Sequence, residues 1–191
     1  MKLIGISGTN GSGKDTVGDM LAERHNWLFV SVSDFLREEA RRRNLPIERK
    51  HLSSISAEWR RKHGHGVLTE RAARLFKEKA TKHDGLAVVP MRHPGEAAKV
   101  KELGGIIVWV DADPKVRYKR VTGRGRSTED VKTYEQFLAE EEAEMHHSGD
   151  EATLSMSKVK EMADISLVNN GDDIEAFKNE AEKALESVIS S

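Results

Sequence analysis

The sequence predicts an α/β fold in which a five-stranded parallel sheet carries helices on both faces. Five short apolar runs alternate along the chain with segments of helical periodicity, the pattern that builds a parallel sheet through helical crossovers. The first run leads into the glycine-rich stretch Gly8-Thr9-Asn10-Gly11-Ser12-Gly13-Lys14-Asp15-Thr16, which opens a helical pattern. The fourth, Ile106-Ile107-Val108-Trp109-Val110, is apolar at every position, as a central strand covered on both sides requires.

Composition bounds the function classes. A chain of 191 residues suits one domain, 1–191, with a substantial core. Its 31 Lys and Arg against 32 Asp and Glu leave a net charge of −1, so nothing general draws it to nucleic acid or an acidic membrane. No cysteine occurs, which excludes disulfides and thiolate metal sites. No apolar run approaches the ~20 residues of a membrane span, and the first residues enter a strand pattern directly. The expectation is a cytoplasmic protein with a small-molecule ligand; oligomeric state is left open.

Taken in order, Leu3-Ile4-Gly5-Ile6 is the first strand, and Val17, Met20 and Leu21 mark a helix over 14–25. Between them the glycines let the backbone curl so that successive N–H groups of Gly8, Asn10, Gly11, Ser12 and Gly13 point inward. Lys14 reaches outer phosphates, and the helix offers its positive end to them. A phosphate loop usually has Ser or Thr directly after its lysine to hold Mg²⁺, whereas this chain has Asp15 there and a hydroxyl only at Thr16. Asp15 either ligates the metal itself or caps the helix while Thr16 or a water carries it.

The second strand is expected at Trp27-Leu28-Phe29-Val30-Ser31-Val32, with Ser33 or Asp34 capping a helix to about residue 43. Two charged helices, 50–62 and 67–82, flank His63-Gly64-His65-Gly66. Leu86-Ala87-Val88-Val89 is the third strand, stopped by Pro90, and Pro94 opens a helix to about 103. After the fourth strand, Asp113 and Pro114 open a helix to about 122, followed by the basic break Gly123-Arg124-Gly125-Arg126-Ser127. An acidic helix over 134–147, a short helix, a fifth strand at Ile165-Ser166-Leu167-Val168, the turn Asn169-Asn170-Gly171 and a final helix over 174–189 complete the chain.

These features in this order resemble the P-loop small-molecule kinases, the adenylate kinase, cytidylate kinase and dephospho-CoA kinase group, over nearly the whole length. The matching positions are Gly8 to Thr16, Ser33-Asp34-Phe35-Leu36-Arg37, Arg92, Arg120-Val121-Thr122-Gly123-Arg124 and the turn at Asn169 to Gly171. The nearest pattern is the archaeal-type branch of dephospho-CoA-kinase-like proteins, which pairs an Asp-x-x-Arg exit from strand two with an Arg-Gly-Arg-Ser lid, here Arg124 to Ser127. The resemblance implies a P-loop kinase fold with a core of 1–49, 83–122 and 160–191. It adds a helical acceptor-binding insertion at about 50–82 and a short lid at about 123–150.

It also implies transfer of the γ-phosphoryl group of ATP, with GTP as the alternative donor, in the presence of Mg²⁺. The acceptor would be small, a nucleoside monophosphate in the first reading and the hydroxyl of a dephospho-CoA-type molecule in the second. A nucleotide-binding regulator without a small acceptor is the third. Arg37 would grip the acceptor phosphate and Asp34 act as base or orienting group, the alternative being a helix cap beside a solvated arginine. Arg92, just past the third strand, either grips a phosphate or lies on the surface. Arg120 is implied to stack on the nucleotide base beside Asn170, and Arg124 and Arg126 to neutralise the transferring group. Many relatives close strand three with an aspartate; this chain has Val89-Pro90, and Asp15 is the residue able to compensate.

Three other features read as structural. Asp111 fits a Walker B pattern on paper, but capping by Asp111 or Asp113 is favoured. His63, His65, His146 and His147 lack the spacing and partners of a zinc site. Trp59 is expected to pack rather than to stack on a substrate.

Overall fold

Apolar runs of four to seven residues become the strands of one sheet because each is long enough to cross it and too short for a buried helix. In the computed structural model, which describes residues 1–79, 82–124, 132–146 and 150–190, the strands are β1 (Lys2–Gly8), β2 (Leu28–Ser31), β3 (Gly85–Val89), β4 (Ile106–Asp111) and β5 (Ile165–Val168). They pair in parallel in the order β2-β3-β1-β4-β5. The inner three are buried almost throughout while β2 and β5 are partly exposed, so the unbroken apolar run of β4 falls on an inner strand as expected.

Alternate side chains of these strands feed two cores. On one face Ile4, Ile6, Ala87, Val89, Val108 and Val110 pack beneath α1 (Lys14–His25) and α9 (Ile174–Ile189), which contribute Val17, Met20, Leu21, Phe177, Ala181 and Leu185. On the other, Leu3, Leu86, Val88 and Ile107 pack against α2 (Val32–Arg42), α3 (Arg49–His63), α4 (Val67–Lys79), α5 (Pro94–Glu102) and α8 (Met156–Glu161). The helices expected as an acceptor-binding insertion, α3 and α4, thus share the core of the sheet through Ile55, Trp59, Leu68 and Phe76. Trp59 packs as expected, with the Arg71 guanidinium 3.9 Å above its ring.

The expected boundaries hold closely, with one informative shift. Val32, expected at the end of β2, is the first residue of α2 and is buried in the second core. Ser31 is therefore the residue at the helix cap, and Asp34 sits in the first turn. Farther on, α6 (Pro114–Arg124) is capped by Asp113, whose carboxylate accepts from the Lys115 N–H at 2.8 Å. The acidic helix α7 (Tyr134–Met145) opens on a reciprocal cap between Thr133 and Gln136.

Among the described residues, one ion pair is buried on both sides. Arg60 of α3 and Glu96 of α5 are 2 % and 0 % exposed and meet at 2.6 Å. Arg60 also donates to Ser56 Oγ and the Ala152 carbonyl, and the second Glu96 oxygen accepts from the N–H groups of Arg92 and His93 at 3.0 and 3.2 Å. Every charge is met by a partner, as burial demands. His93 accepts from the Gly95 N–H through Nδ1, which leaves Nε2 to donate to the Glu151 carbonyl at 2.7 Å; burial pushes this imidazole below its ordinary range and keeps it neutral.

Two stability outcomes follow. Arg60→Met should cost about 3–5 kcal/mol in urea unfolding because Glu96 is left charged and unpaired. The double variant Arg60→Met/Glu96→Leu should recover only part of it, since Glu96 also holds two N–H groups. At Gly85 a Cβ would stand 2.4 Å from the buried Trp27 ring. Gly85→Ala should therefore lower stability by about 1–3 kcal/mol, read from the same unfolding midpoint.

Candidate functional site

The strands of a parallel sheet end on one side, and the loop between β1 and α1 opens there. Gly8 has φ 150°, and a Cβ on it would lie 2.0 Å from the Val110 carbonyl oxygen of β4. Gly13, the residue before α1, has φ 92°, and its Cβ would lie 2.4 Å from Asn169 Nδ2. Both positions need glycine because the loop is wedged between the ends of β4 and β5. Side chains from those ends fasten it: Thr9 Oγ1 donates to Asp111 Oδ1 at 2.7 Å, and Asn169 Nδ2 donates to the Ser12 carbonyl at 2.9 Å. Asp111 acts here as an anchor for the loop, and also accepts from the N–H of Ala112. Lys14 folds back over the curl, with Nζ 3.3 Å from the Thr9 carbonyl. Ser12 Oγ is fully buried with no partner among the described residues, a polar atom in the loop that the chain itself leaves unsatisfied.

At one edge of the loop the structure gathers the expected base-side residues. Arg120 of α6 donates to the carbonyls of Asn169 and Gly171 at 2.8 and 2.5 Å, and Asn170 Oδ1 accepts from the Asp113 N–H at 2.7 Å. Arg120 and Asn170, fifty residues apart, thus form one rim.

On the other side lies a cavity of about 610 Å³. Its wall includes Asn10, Lys14, Asp15, Asp19, Arg37, Arg49, Arg92 and Glu144 among apolar side chains such as Phe29, Leu36, Leu52 and Leu154, with Arg60 and Glu96 also in the lining. Arg37 and Arg92 line this cavity together with Lys14. Asp34 is not part of this wall; its side chain is 69 % exposed and pairs with Arg37 at 2.6 Å. Of the two metal candidates Asp15 opens on the cavity, with Asp19 one turn along α1, while Thr16 is not in the wall. The Asp19 carboxyl is held above its ordinary range, first by desolvation and then by repulsion from Asp15 and Glu23, against the pull of Lys178. Two carboxylates facing a phosphate cradle are hard oxygen donors of the kind a Mg²⁺ ion takes. Arg126 and the side chain of Arg124, the lid arginines, lie outside the described residues. Among the described residues no group of three or more His, Asp or Glu is arranged to hold a metal alone.

Several functional neighbours were invisible in the sequence. Arg49, at the start of α3, and Glu144, in the last turn of α7, meet at 3.1 Å, and Arg92 meets the other oxygen of Glu144 at 3.1 Å. Burial works against the Glu144 charge, but the fields of Arg92, Arg49 and Lys14 outweigh it and hold the carboxyl below its ordinary range. Arg117 of α6, buried, donates to the Ala112 carbonyl and pairs with Glu141 of α7. The run of glutamates in α7 was legible as an acidic helix; which of them turns inward depends on how α7 lies across the strand ends.

This geometry agrees with the comparisons to known proteins. The chain is 31 % identical to the UPF0200 protein of Hyperthermus butylicus over 96 % of this chain and 92 % of that one. It is 30 % identical to the UPF0200 protein of Sulfurisphaera tokodaii over 99 % and 98 %. Among solved structures it is similar to a shikimate kinase from Acinetobacter baumannii in complex with shikimate, at a TM-score of 0.55 and 19 % identity over 100 % of this chain and 94 % of that one. TT1252 from Thermus thermophilus gives 0.55 and 22 % over 98 % and 96 %. A family profile described as AAA domain matches residues 4–147. The fold is that of the P-loop kinases, and the chain belongs to the AAA-domain family and to the UPF0200 proteins.

Proposed function

We propose that this protein is a phosphotransferase that moves the γ-phosphoryl group of ATP onto a small phosphorylated acceptor, a nucleoside monophosphate first among them. The observation that carries the reading is that Lys14 belongs both to the phosphate loop and to the wall of the 610 Å³ cavity that holds Arg37 and Arg92. Donor and acceptor phosphates would then converge on one ammonium group, and catalysis is mostly positioning and charge neutralisation. The loop N–H groups and Lys14 hold the donor phosphates, Arg120 and Asn170 flank its base, and Arg37 and Arg92 orient the acceptor. Arg124 and Arg126 would add positive charge from the lid. Mg²⁺, bound with the nucleotide, would offset the charge of the phosphates, and Asp15 is the residue that would hold it. A carboxylate there is repelled by a triphosphate unless a cation lies between them. Purine contacts through the backbone of the turn at Asn169 to Gly171 leave GTP as an alternative donor. The reading carries a cytoplasmic location with it; no helix among the described residues is long and apolar enough to cross a membrane.

The position of Asp34 outside the cavity wall favours a phosphate acceptor, which is already an anion and needs no base, over a hydroxyl acceptor. Incubation with labelled ATP, Mg²⁺ and a panel of nucleoside monophosphates and dephospho-CoA should yield a phosphorylated nucleotide; free phosphate as the only product would overturn the kinase reading and leave a nucleotide-hydrolysing regulator. On the productive acceptor, Asp34→Asn should keep most of the turnover, whereas a loss of about 10²–10⁴-fold, the size of a general-base contribution, would move the acceptor to the hydroxyl class.

A further inference from the structure

The carboxylate of Glu144 sits where the proposed acceptor would place an anion. One of its oxygens meets Arg49 Nη1 and the other Arg92 Nη1, both at 3.1 Å, and all three side chains share the cavity wall with Lys14. Nothing in its own helix invites a negative charge at this point. Glu144 lies in the last turn of α7, where the backbone carbonyls already concentrate negative potential and no basic residue of that turn offsets it. The two guanidinium groups, from α3 and from the exit of β3, are what hold it there. The Arg92 side chain has Glu144 as its only partner among the described residues and gives it a single nitrogen, whereas the backbone beneath is fixed independently by Glu96. Arg49 has a second carboxylate in reach, Glu140 at 3.4 Å, so it is not stranded when Glu144 leaves.

We propose that Glu144 is an internal stand-in for the acceptor's phosphate, and that Arg49, together with Arg92, forms the clamp the phosphate enters when Glu144 is displaced. The inference rests on the kinase reading for the identity of the ligand but not for the competition itself. It makes α7 a selectivity device. An anionic acceptor exchanges one oxyanion for another on the same two arginines, with further oxygens to offer the remaining N–H groups of Arg92. A neutral molecule of the same shape has to leave Glu144 in place or strand the partly desolvated Arg92 guanidinium. The apparent affinity for the acceptor is lowered by the fraction of time that Glu144 is seated.

The test is a calorimetric titration of inorganic phosphate into the full chain with the phosphate loop filled by a non-hydrolysable ATP analogue and Mg²⁺, so that the γ-phosphate position is occupied and only the second anion position is read. Glu144→Gln and Glu144→Ala should each bind phosphate about tenfold more tightly than the native chain, as expected if the internal carboxylate is seated about nine-tenths of the time. Glu140→Gln, which removes the longer contact to Arg49 but nothing on Arg92, should change the affinity by less than about twofold. Arg49→Gln in the Glu144→Gln background should abolish the gain. Unchanged or weaker phosphate binding by both Glu144 variants would overturn the proposal, and a gain that survives Arg49→Gln would remove Arg49 from the clamp. Because the titration reads binding without turnover, a panel that yields only free phosphate leaves its outcome intact.

Discussion

The site depends on a loop that cannot hold its own shape. A backbone whose N–H groups turn inward gives up the hydrogen bonds that regular structure would supply, and it must be braced from outside. Here the brace is the end of the sheet. The Val110 carbonyl excludes any side chain at Gly8, Asp111 holds Thr9, and Asn169 holds the Ser12 carbonyl while crowding Gly13. The loop at residues 8–16 is therefore a product of β4 and β5, more than a hundred residues away, and its curl stands only when the parallel sheet has closed on that side. The Ser12 hydroxyl, buried in the loop, has no partner among the described residues.

The same geometry gathers cations. Strands running in one direction bring Lys14, Arg37, Arg92 and Arg120 to one end of the sheet, and each cation that would otherwise repel its neighbours is answered by an oxygen of the chain itself. Arg37 meets Asp34, Arg92 meets Glu144, Arg117 meets Glu141 and Arg120 meets backbone carbonyls. These pairs differ in how readily they exchange. An exposed pair such as Asp34 with Arg37 contributes about 0–1 kcal/mol, so a phosphate can replace the carboxylate at little cost. Arg60 and Glu96, buried and fully partnered, cannot trade in this way and instead fix the backbone from which Arg92 projects. The cavity thus has a rigid floor and a rim of replaceable contacts.

Most of the fold was legible because its signals are local. Five apolar runs, the Pro94 and Pro114 helix starts and the Asp113 cap depend on a few adjacent residues, and they fall where the sequence puts them. The early start of α2 at Val32 was not legible, because burial of Val32 against the second core is a tertiary effect that overrides a β-branched preference. At the site, the loop and the order of the arginines could be read, since motif and topology together imply a common rim. Arg49 and Glu144 could not. Ninety-five residues separate them, each sits in a strongly charged helix, and charge alone does not say which side chain faces inward. Gly85 likewise looks like an ordinary strand boundary until the Trp27 ring is found against it.

The irregular loop residue and the missing strand-three carboxylate belong to one arrangement. After β3 the chain passes through the cis Val89–Pro90 bond and returns to β1, where the Met91 N–H donates to the Ile6 carbonyl and Ser7 Oγ to the Met91 carbonyl. Val89 and Met91 are completely buried, so no position there offers a carboxylate to the loop. Two of the acidic groups that share the cavity wall with Lys14 come from α1, where Asp15 and Asp19 stand one turn apart. Under the proposed function this moves the metal's protein oxygen from the strand to the helix, next to Lys14 rather than across from it. A cation lying between the helix and the phosphates would relieve the repulsion between Asp15 and Asp19 beyond what the pull of Lys178 on Asp19 already offsets. Under that reading a hydroxyl at position 15 would remove the repulsion together with one of the carboxylates that share the cavity wall with Lys14, and the aspartate would stand in for the absent strand-three residue rather than be a variant of the usual Ser or Thr.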